Sequence, residues 1–138
     1  RDYTTFRPSF TPAPGARRFM QGTPSFEAVY GARAGLRYVL AAGLDRIRAR
    51  SLELTALLHA GLAADPRIRV RTPSSAAARG GTVCFEVDGD MSAIVARLAD
   101  AGIDIDFRPG AGLRASPHPV ATEDEVRALI HAVRDLLA

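Results

Sequence analysis

An α+β fold, a small and mostly antiparallel sheet covered by helices, is what this chain of 138 residues predicts. Three features carry the expectation. Apolar residues recur at helical spacing in four segments. Short stretches of two-residue alternation lie between the later ones. The pieces come in the order helix, helix, strand, strand, helix, strand, strand, helix, with no internal repeat. The length suits one domain able to bury a core.

Residues 1–23 read as an irregular arm. Pro8, Pro12 and Pro14 with Gly15 forbid regular structure there. Tyr3, Phe6, Phe10 and Phe19 are dense for a tail, and such rings are expected to pack on this domain or on a partner surface. Thr23 as N-cap and Pro24 at the first helical position predict a helix from Ser25 to about Ala41. Val29, Ala32, Leu36 and Val39/Leu40 follow its period, and Gly31 and Gly35, four apart, suggest close helix packing. Gly43 ends or kinks this helix. A second runs from Leu44 to about Ala64, with Leu44, Ile47, Leu54, Leu58 and Leu62 along one side, and Asp65-Pro66 closes it.

Ile68 and Val70 alternate with Arg67, Arg69 and Arg71, the pattern of a half-buried strand. After a loop over residues 72–81, residues 82–87 form a second strand, apolar enough to be central. Asp90 is placed to cap a helix from Met91 to Ala101, which Gly102 stops. If the strands on either side of that helix are parallel, a right-handed crossover joins them. Residues 103–107 alternate apolar residues with aspartate as a third strand, and residues 113–116 make a short fourth. The closing helix, 122–137, announces itself: Thr122 and Glu125 form a capping box, and Val126, Leu129, Ile130, Val133, Leu136 and Leu137 make one apolar face.

Composition excludes several functions. No run of 18 apolar residues exists, so no membrane-spanning helix is expected, and no secretory leader is visible. The net charge of +3 is small and its arginines are scattered among acidic residues, against a nucleic-acid partner. Arg46, Arg48 and Arg50, the nearest approach to a basic cluster, do not share one helix face. Cys84, the lone cysteine, reads as a buried small hydrophobe, which fits a cytoplasmic protein. All 18 basic residues are arginine, so chemistry that requires a lysine amine cannot be completed by this chain. The first residue is Arg1, which suggests processing or a longer parent.

The candidate site lies around Phe107-Arg-Pro-Gly-Ala-Gly-Leu-Arg-Ala-Ser-Pro-His118. Arg114 admits two readings. Its planar, permanently charged fork suits capture of an amino-acid or keto-acid carboxylate. It also suits a solvated strand edge, or pairing with Asp104 or Asp106. Arg108 stands on the other side of the Pro-Gly-Ala-Gly turn, and His118 sits between prolines on a loop of the kind that gathers function. His59 and His131 fall on helices and are expected at the surface or rim. The three histidines are too scattered for a metal motif. Ser116 and His118 lack the setting of a hydrolase pair. Gly22 and Thr23 precede a helix, where free amides, a hydroxyl and the helix dipole favour phosphate; a plain helix cap, which every capped helix offers, is the commoner explanation.

These weak sites stand in a meaningful order. Gly15-Ala-Arg-Arg-Phe-Met-Gln-Gly-Thr-Pro24 resembles the segment opening the late part of class V aminotransferase-like enzymes. These are fold type I pyridoxal-phosphate proteins that include kynureninases, cysteine desulfurases and isopenicillin-epimerase-like proteins. Ile47-Arg-Ala-Arg-Ser-Leu-Glu-Leu-Thr55, Arg79-Gly-Gly-Thr-Val-Cys-Phe85 and Gly112-Leu-Arg-Ala-Ser-Pro-His118 with Thr122-Glu-Asp-Glu-Val126 are similar to the family's next helix, strand and closing motif. Ser51-Leu-Glu-Leu-Thr55 and Asp106-Phe-Arg108 lean towards kynureninases. The chain departs where family members often carry an aromatic pair and an asparagine: it has Pro119-Val-Ala121, which leaves contacts to the substrate's far end open.

The resemblance implies that residues 24–138 are the carboxy-terminal small domain of a larger enzyme acting on an amino acid. The large domain, with its cofactor-linked lysine, would lie upstream. Arg114 would hold the substrate α-carboxylate, with Arg108 and His118 nearby. Thr23, beside Gly22, would reach the pyridoxal-phosphate phosphate of the neighbouring subunit in a homodimer. The contrasting expectation is a free-standing α+β module for small-molecule binding or dimerisation, with no catalysis of its own.

Overall fold

The computed structural model describes residues 11–20 and 22–137, so Tyr3, Phe6, Pro8 and Phe10 lie outside the described residues. The chain divides into two compact units between Ala41 and Ala42.

The first unit holds a short 3-10 turn, Gly15–Phe19, and helix α1, Phe26–Ala42. The helix starts later than Thr23-Pro24 suggests. Ser25 does the capping: its hydroxyl accepts from the Ala28 amide at 3.4 Å and its carbonyl from Val29 at 3.1 Å. A β-hydroxyl three residues before a free amide is the usual N-cap arrangement, and Ser25 and Thr23 both offer one. The apolar side chains of α1, Val29, Leu36, Val39 and Leu40 among them, are exposed. The close packing expected at Gly31 and Gly35 is absent among the described residues: a methyl built on either meets no atom within 4 Å.

The second unit begins with α2, Leu44–Ala63, and continues through β1 (Ile68–Val70), β2 (Val83–Val87), α3 (Met91–Asp100), β3 (Asp106–Arg108), β4 (Gly112–Ala115) and α4 (Glu123–Asp135). The strands form one sheet in the order β1-β2-β4-β3, every neighbouring pair antiparallel. β2 and β4 are therefore the central strands. β2 and β3 run in the same direction with β4 between them, and α3 links the two.

Strand alternation separates the two faces of the sheet. Ile68, Val83, Phe85, Val87, Leu113 and Ala115 enter one core with Leu54, Leu58 and Leu62 of α2, Ile94 and Leu98 of α3, and Val126, Leu129, Ile130 and Val133 of α4. Phe85, Leu54, Leu58, Leu62, Leu98 and Leu113 are fully buried. Each such side chain contributes about 1.5–3 kcal/mol relative to exposure. The alternate residues, Arg69, Cys84, Glu86, Asp106 and Arg114, take the other face.

Local chemistry fixes the helix ends. The Asp90 carboxylate accepts from the Ser92 and Ala93 amides at 2.9 and 3.2 Å, and Gly102 follows α3 with a φ of +76°. The third strand is shorter and later than its alternation suggests. Residues 103–105 have no partner strand; pairing with β4 begins at Asp106 opposite Arg114. Gly112 opens β4 at φ +82°, and a methyl there would sit 2.4 Å from the Phe85 carbonyl oxygen. Only glycine allows that approach.

Candidate functional site

Arg114 occupies the middle of the central strand β4. Its neighbours Leu113 and Ala115 are buried, which turns Arg114 to the opposite face. Directly across lie Asp106 on β3 and Cys84 on β2. Arg114 Nε and Nη2 donate to Asp106 Oδ1 and Oδ2, both at 2.8 Å, the bidentate geometry of a strong guanidinium–carboxylate pair. The partner is thus Asp106; Asp104 is exposed in the segment leading to β3. Arg108 adds a second contact, its Nε 3.3 Å from Asp106 Oδ2.

The side chains of Arg114 and Asp106 remain 39% and 42% exposed, so a ligand can reach both. Among the described residues, Arg114 bonds only through its Nε/Nη2 edge, and Nη1 has no partner. Hydrogen bonding from Arg114 holds the Asp106 carboxyl below its ordinary range, with the Arg108 charge adding to the effect. The same bond raises Arg114 above its ordinary value. On β2 of the same face, Glu86 is taken by Arg69 at 2.6 Å and approached by Arg71 at 3.8 Å.

Cys84 is half-buried, contrary to the expectation of a core position. Val83, Phe85 and Val87 take the core-facing places of β2, so alternation delivers Cys84 to the face of Arg114.

The loop after β4 is held from several directions. The hydroxyls of Ser116 and Thr82 meet at 2.8 Å. His118 is exposed; its Nδ1 accepts from the Val120 amide at 3.3 Å and its carbonyl from Ala121 at 2.8 Å. A neutral ring accepting at Nδ1 carries its proton on Nε2, which leaves a donor. Arg50 reaches the Ala121 carbonyl at 3.0 Å. The capping box then starts α4: Glu125 N donates to Thr122 Oγ1 at 3.2 Å, and Thr122 N to Glu125 Oε2 at 2.7 Å. Hydrogen bonds from the Thr122 amide, and then from its hydroxyl, hold the Glu125 carboxyl below its ordinary range.

A hollow of about 370 Å³ lies beneath this loop, bounded by Ile103, Ile105, Ser116, Pro117, Val126 and Leu129. Arg114 does not line it, although its neighbours Ala115 and Ser116 do. Arg114, Arg108 and Asp106 are thus brought together, with His118 four residues further along the chain on an exposed loop. Gly22 and Thr23 are both exposed, ahead of α1 in the other compact unit. Space around Gly22 is open, and the Thr23 hydroxyl has no partner among the described residues. His59 is tied to the Thr72 carbonyl at 3.0 Å and His131 is exposed. No group of three potential metal ligands forms among the described residues.

Reading by residue pattern misses Arg79. It is buried, and it donates to Thr55 Oγ1 at 3.4 Å and to the Ser74 and Leu52 carbonyls. Arg48 donates to the Ala76 and Arg79 carbonyls, both at 3.0 Å. Together they fasten the loop over residues 72–81 to α2. A cue exists only in that loop itself, whose small residues leave carbonyls without a ladder partner.

Residues 47–133 match the Kynureninase C-terminal domain family. A kynureninase of Myxococcus xanthus is 33% identical over 82% of this chain and 27% of its own length. A probable cysteine desulfurase of Mycobacterium leprae is 33% identical over 91% of this chain and 33% of its own. Among solved structures, the apo cysteine desulfurase of Thermococcus onnurineus matches 88% of this chain and 33% of its own, at 25% identity and a TM-score of 0.78. The chain spans about a third of the length of the relatives it matches. On the strength of that match, which takes in the sheet, the capped closing helix and Arg114, the chain belongs to the Kynureninase C-terminal domain family.

Proposed function

We propose that residues 24–138, entered by the arm of residues 1–23, serve as the small domain of a kynureninase-like, pyridoxal-phosphate-dependent enzyme acting on an amino acid, in which Arg114 holds the substrate α-carboxylate. One observation carries the reading. Within the family-matched segment, a half-exposed guanidinium stands on a central strand with its Nη1 end unpartnered among the described residues. Backbone pairing on both sides of β4 fixes where that charge sits. A carboxylate taken at the free end would gain charge-assisted hydrogen bonds without displacing Asp106.

The residues here fit the cofactor at its phosphate end only. Gly22 offers open backbone, and Thr23 a hydroxyl with no partner among the described residues, just ahead of α1, where a helix dipole favours anions. With no lysine, the chain has no amine to tether the cofactor. When bound, the cofactor supplies an electron sink for carbanion chemistry. What this chain's residues add is orientation: Arg114 on the carboxylate, Arg108 beside it, and the His118 Nε2 donor on the loop. In the homodimer we envisage, Thr23 serves the phosphate of the neighbouring subunit.

The test is Arg114→Ala in the intact enzyme. Truncating one partner of a charge pair costs about 2–5 kcal/mol, and the half-exposed setting argues for the lower end. The expected fall in kcat/KM is therefore roughly 30-fold, with the visible absorption of the bound cofactor unchanged. An unaltered kcat/KM would reject the role.

A further inference from the structure

We propose that Asp106 is a positioning residue that clamps the Nε/Nη2 edge of Arg114, aims the Nη1 end at the substrate carboxylate, and sets the net charge of the site to +1. The inference rests on the reading of Arg114 as the carboxylate-binding residue.

Two arrangements are open to an aspartate beside a carboxylate-binding arginine. It can occupy the place of the ligand and compete with it, or grip one edge of the guanidinium and leave the other to the ligand. The structure favours the second. Both Asp106 oxygens are engaged by the Nε/Nη2 edge at 2.8 Å, while the Nη1 end makes no bond among the described residues. The two residues are direct cross-strand partners, so backbone pairing holds the clamp in register. On the other side, the directly opposed residue is Cys84, which brings no carboxylate to compete. The nearest acid on β2, Glu86, is already engaged by Arg69.

Arg108 completes the arrangement. Its Nε, 3.3 Å from Asp106 Oδ2, gives the aspartate a second cation. Two guanidinium groups and one carboxylate leave one positive charge, which matches a single α-carboxylate. Without Asp106 the same strands would present two uncompensated cations and a guanidinium free to rotate about its stem.

The experiment uses the intact enzyme and two probes that differ only in the carboxylate, L-alanine and ethylamine. Dissociation constants are measured by calorimetry for wild type, Asp106→Asn, Asp106→Ser and Arg114→Ala. The ratio between probes on one preparation does not depend on how much of it is folded, and Asp106→Ser replaces Asp106→Asn should the latter not fold. In the Asp106 variants the preference for L-alanine should fall by up to ~100-fold, the loss that a misplacement of about 1 Å can cause, with ethylamine binding unchanged. If Arg114→Ala abolishes the preference while the Asp106 variants retain or increase it, Asp106 does not position the arginine and this inference fails alone. If Arg114→Ala leaves the preference intact, the underlying assignment fails and this one falls with it.

Discussion

Gly112→Ala tests how tightly β4, and with it Arg114, is seated in the sheet. Two costs apply at this position. The residue sits at φ +82°, and a left-handed backbone costs an L-residue about 1–2 kcal/mol. The new methyl would also lie 2.4 Å from the Phe85 carbonyl oxygen and 2.8 Å from Glu86 Cγ. The Glu86 side chain can swing aside, whereas the carbonyl belongs to the central strand and moves only if the β2–β4 pairing opens. Overpacking of this kind adds about 1–3 kcal/mol. The sum is about 2–5 kcal/mol. For a domain of this size each kcal/mol shifts the melting temperature by about 4–8 °C, so a drop of about 10 °C or more is expected by circular dichroism. Gly110→Ala is the control. Gly110 has a similar φ of +80° with no atom within 4 Å, so only the backbone cost of about 1–2 kcal/mol applies. Equal losses in the two variants would refute the steric argument.

Further tests concern the helix layer and the acid limit. Gly61→Ala places a methyl 2.4 Å from Ile130 Cδ1. Overpacking of about 1–3 kcal/mol should outweigh the ~1 kcal/mol of helix propensity gained. Ile130→Val removes that atom, so the double variant should lose less stability than the sum of the two single losses; strict additivity in urea denaturation would refute the contact. Asp65 is lowered to about 2, chiefly by its hydrogen bond to the Arg67 side chain and then by that to the Arg67 amide. A depressed folded value means that the stabilisation is complete above the unfolded value of 3.8 and disappears as pH falls through about 2. Between pH 5 and 2, expressed as an order-of-magnitude window of about three units, melting temperature should fall less steeply in Asp65→Asn than in wild type. Identical slopes would count against the pair.

What could be read from the chain depended on how local the cause was. The capping box at Thr122 and Glu125 involves residues three apart, and both of its bonds form as expected. Asp90 and Gly102 bound α3 for equally local reasons. Thr23 and Ser25 offer the same hydroxyl two residues apart, and local pattern does not choose between them. Residues 103–105 alternate like a strand, yet a strand needs a ladder partner, and the pairing with β4 starts only at Asp106. Cys84 sits in an apolar run, but its place in the alternation decides its face. Sequence offers Asp104 and Asp106 alike to Arg114, and hairpin register chooses between them: Arg108 opposite Gly112 puts Asp106 opposite Arg114. Arg79 was beyond local reading, since its partners Thr55 and Leu52 lie on a distant helix.

The strand order has one more implication. It puts three-residue strands, β1 and β3, on the two outer borders of the sheet. Arg67, Arg69 and Arg71 decorate one border; Asp106, Arg108 and Pro109 mark the other. A foreign strand approaching from either side would find few free amides and would have to strip water from charged side chains. The long, continuous hydrogen-bonding surfaces belong to β2 and β4, both already enclosed, which protects the sheet against runaway edge-to-edge stacking.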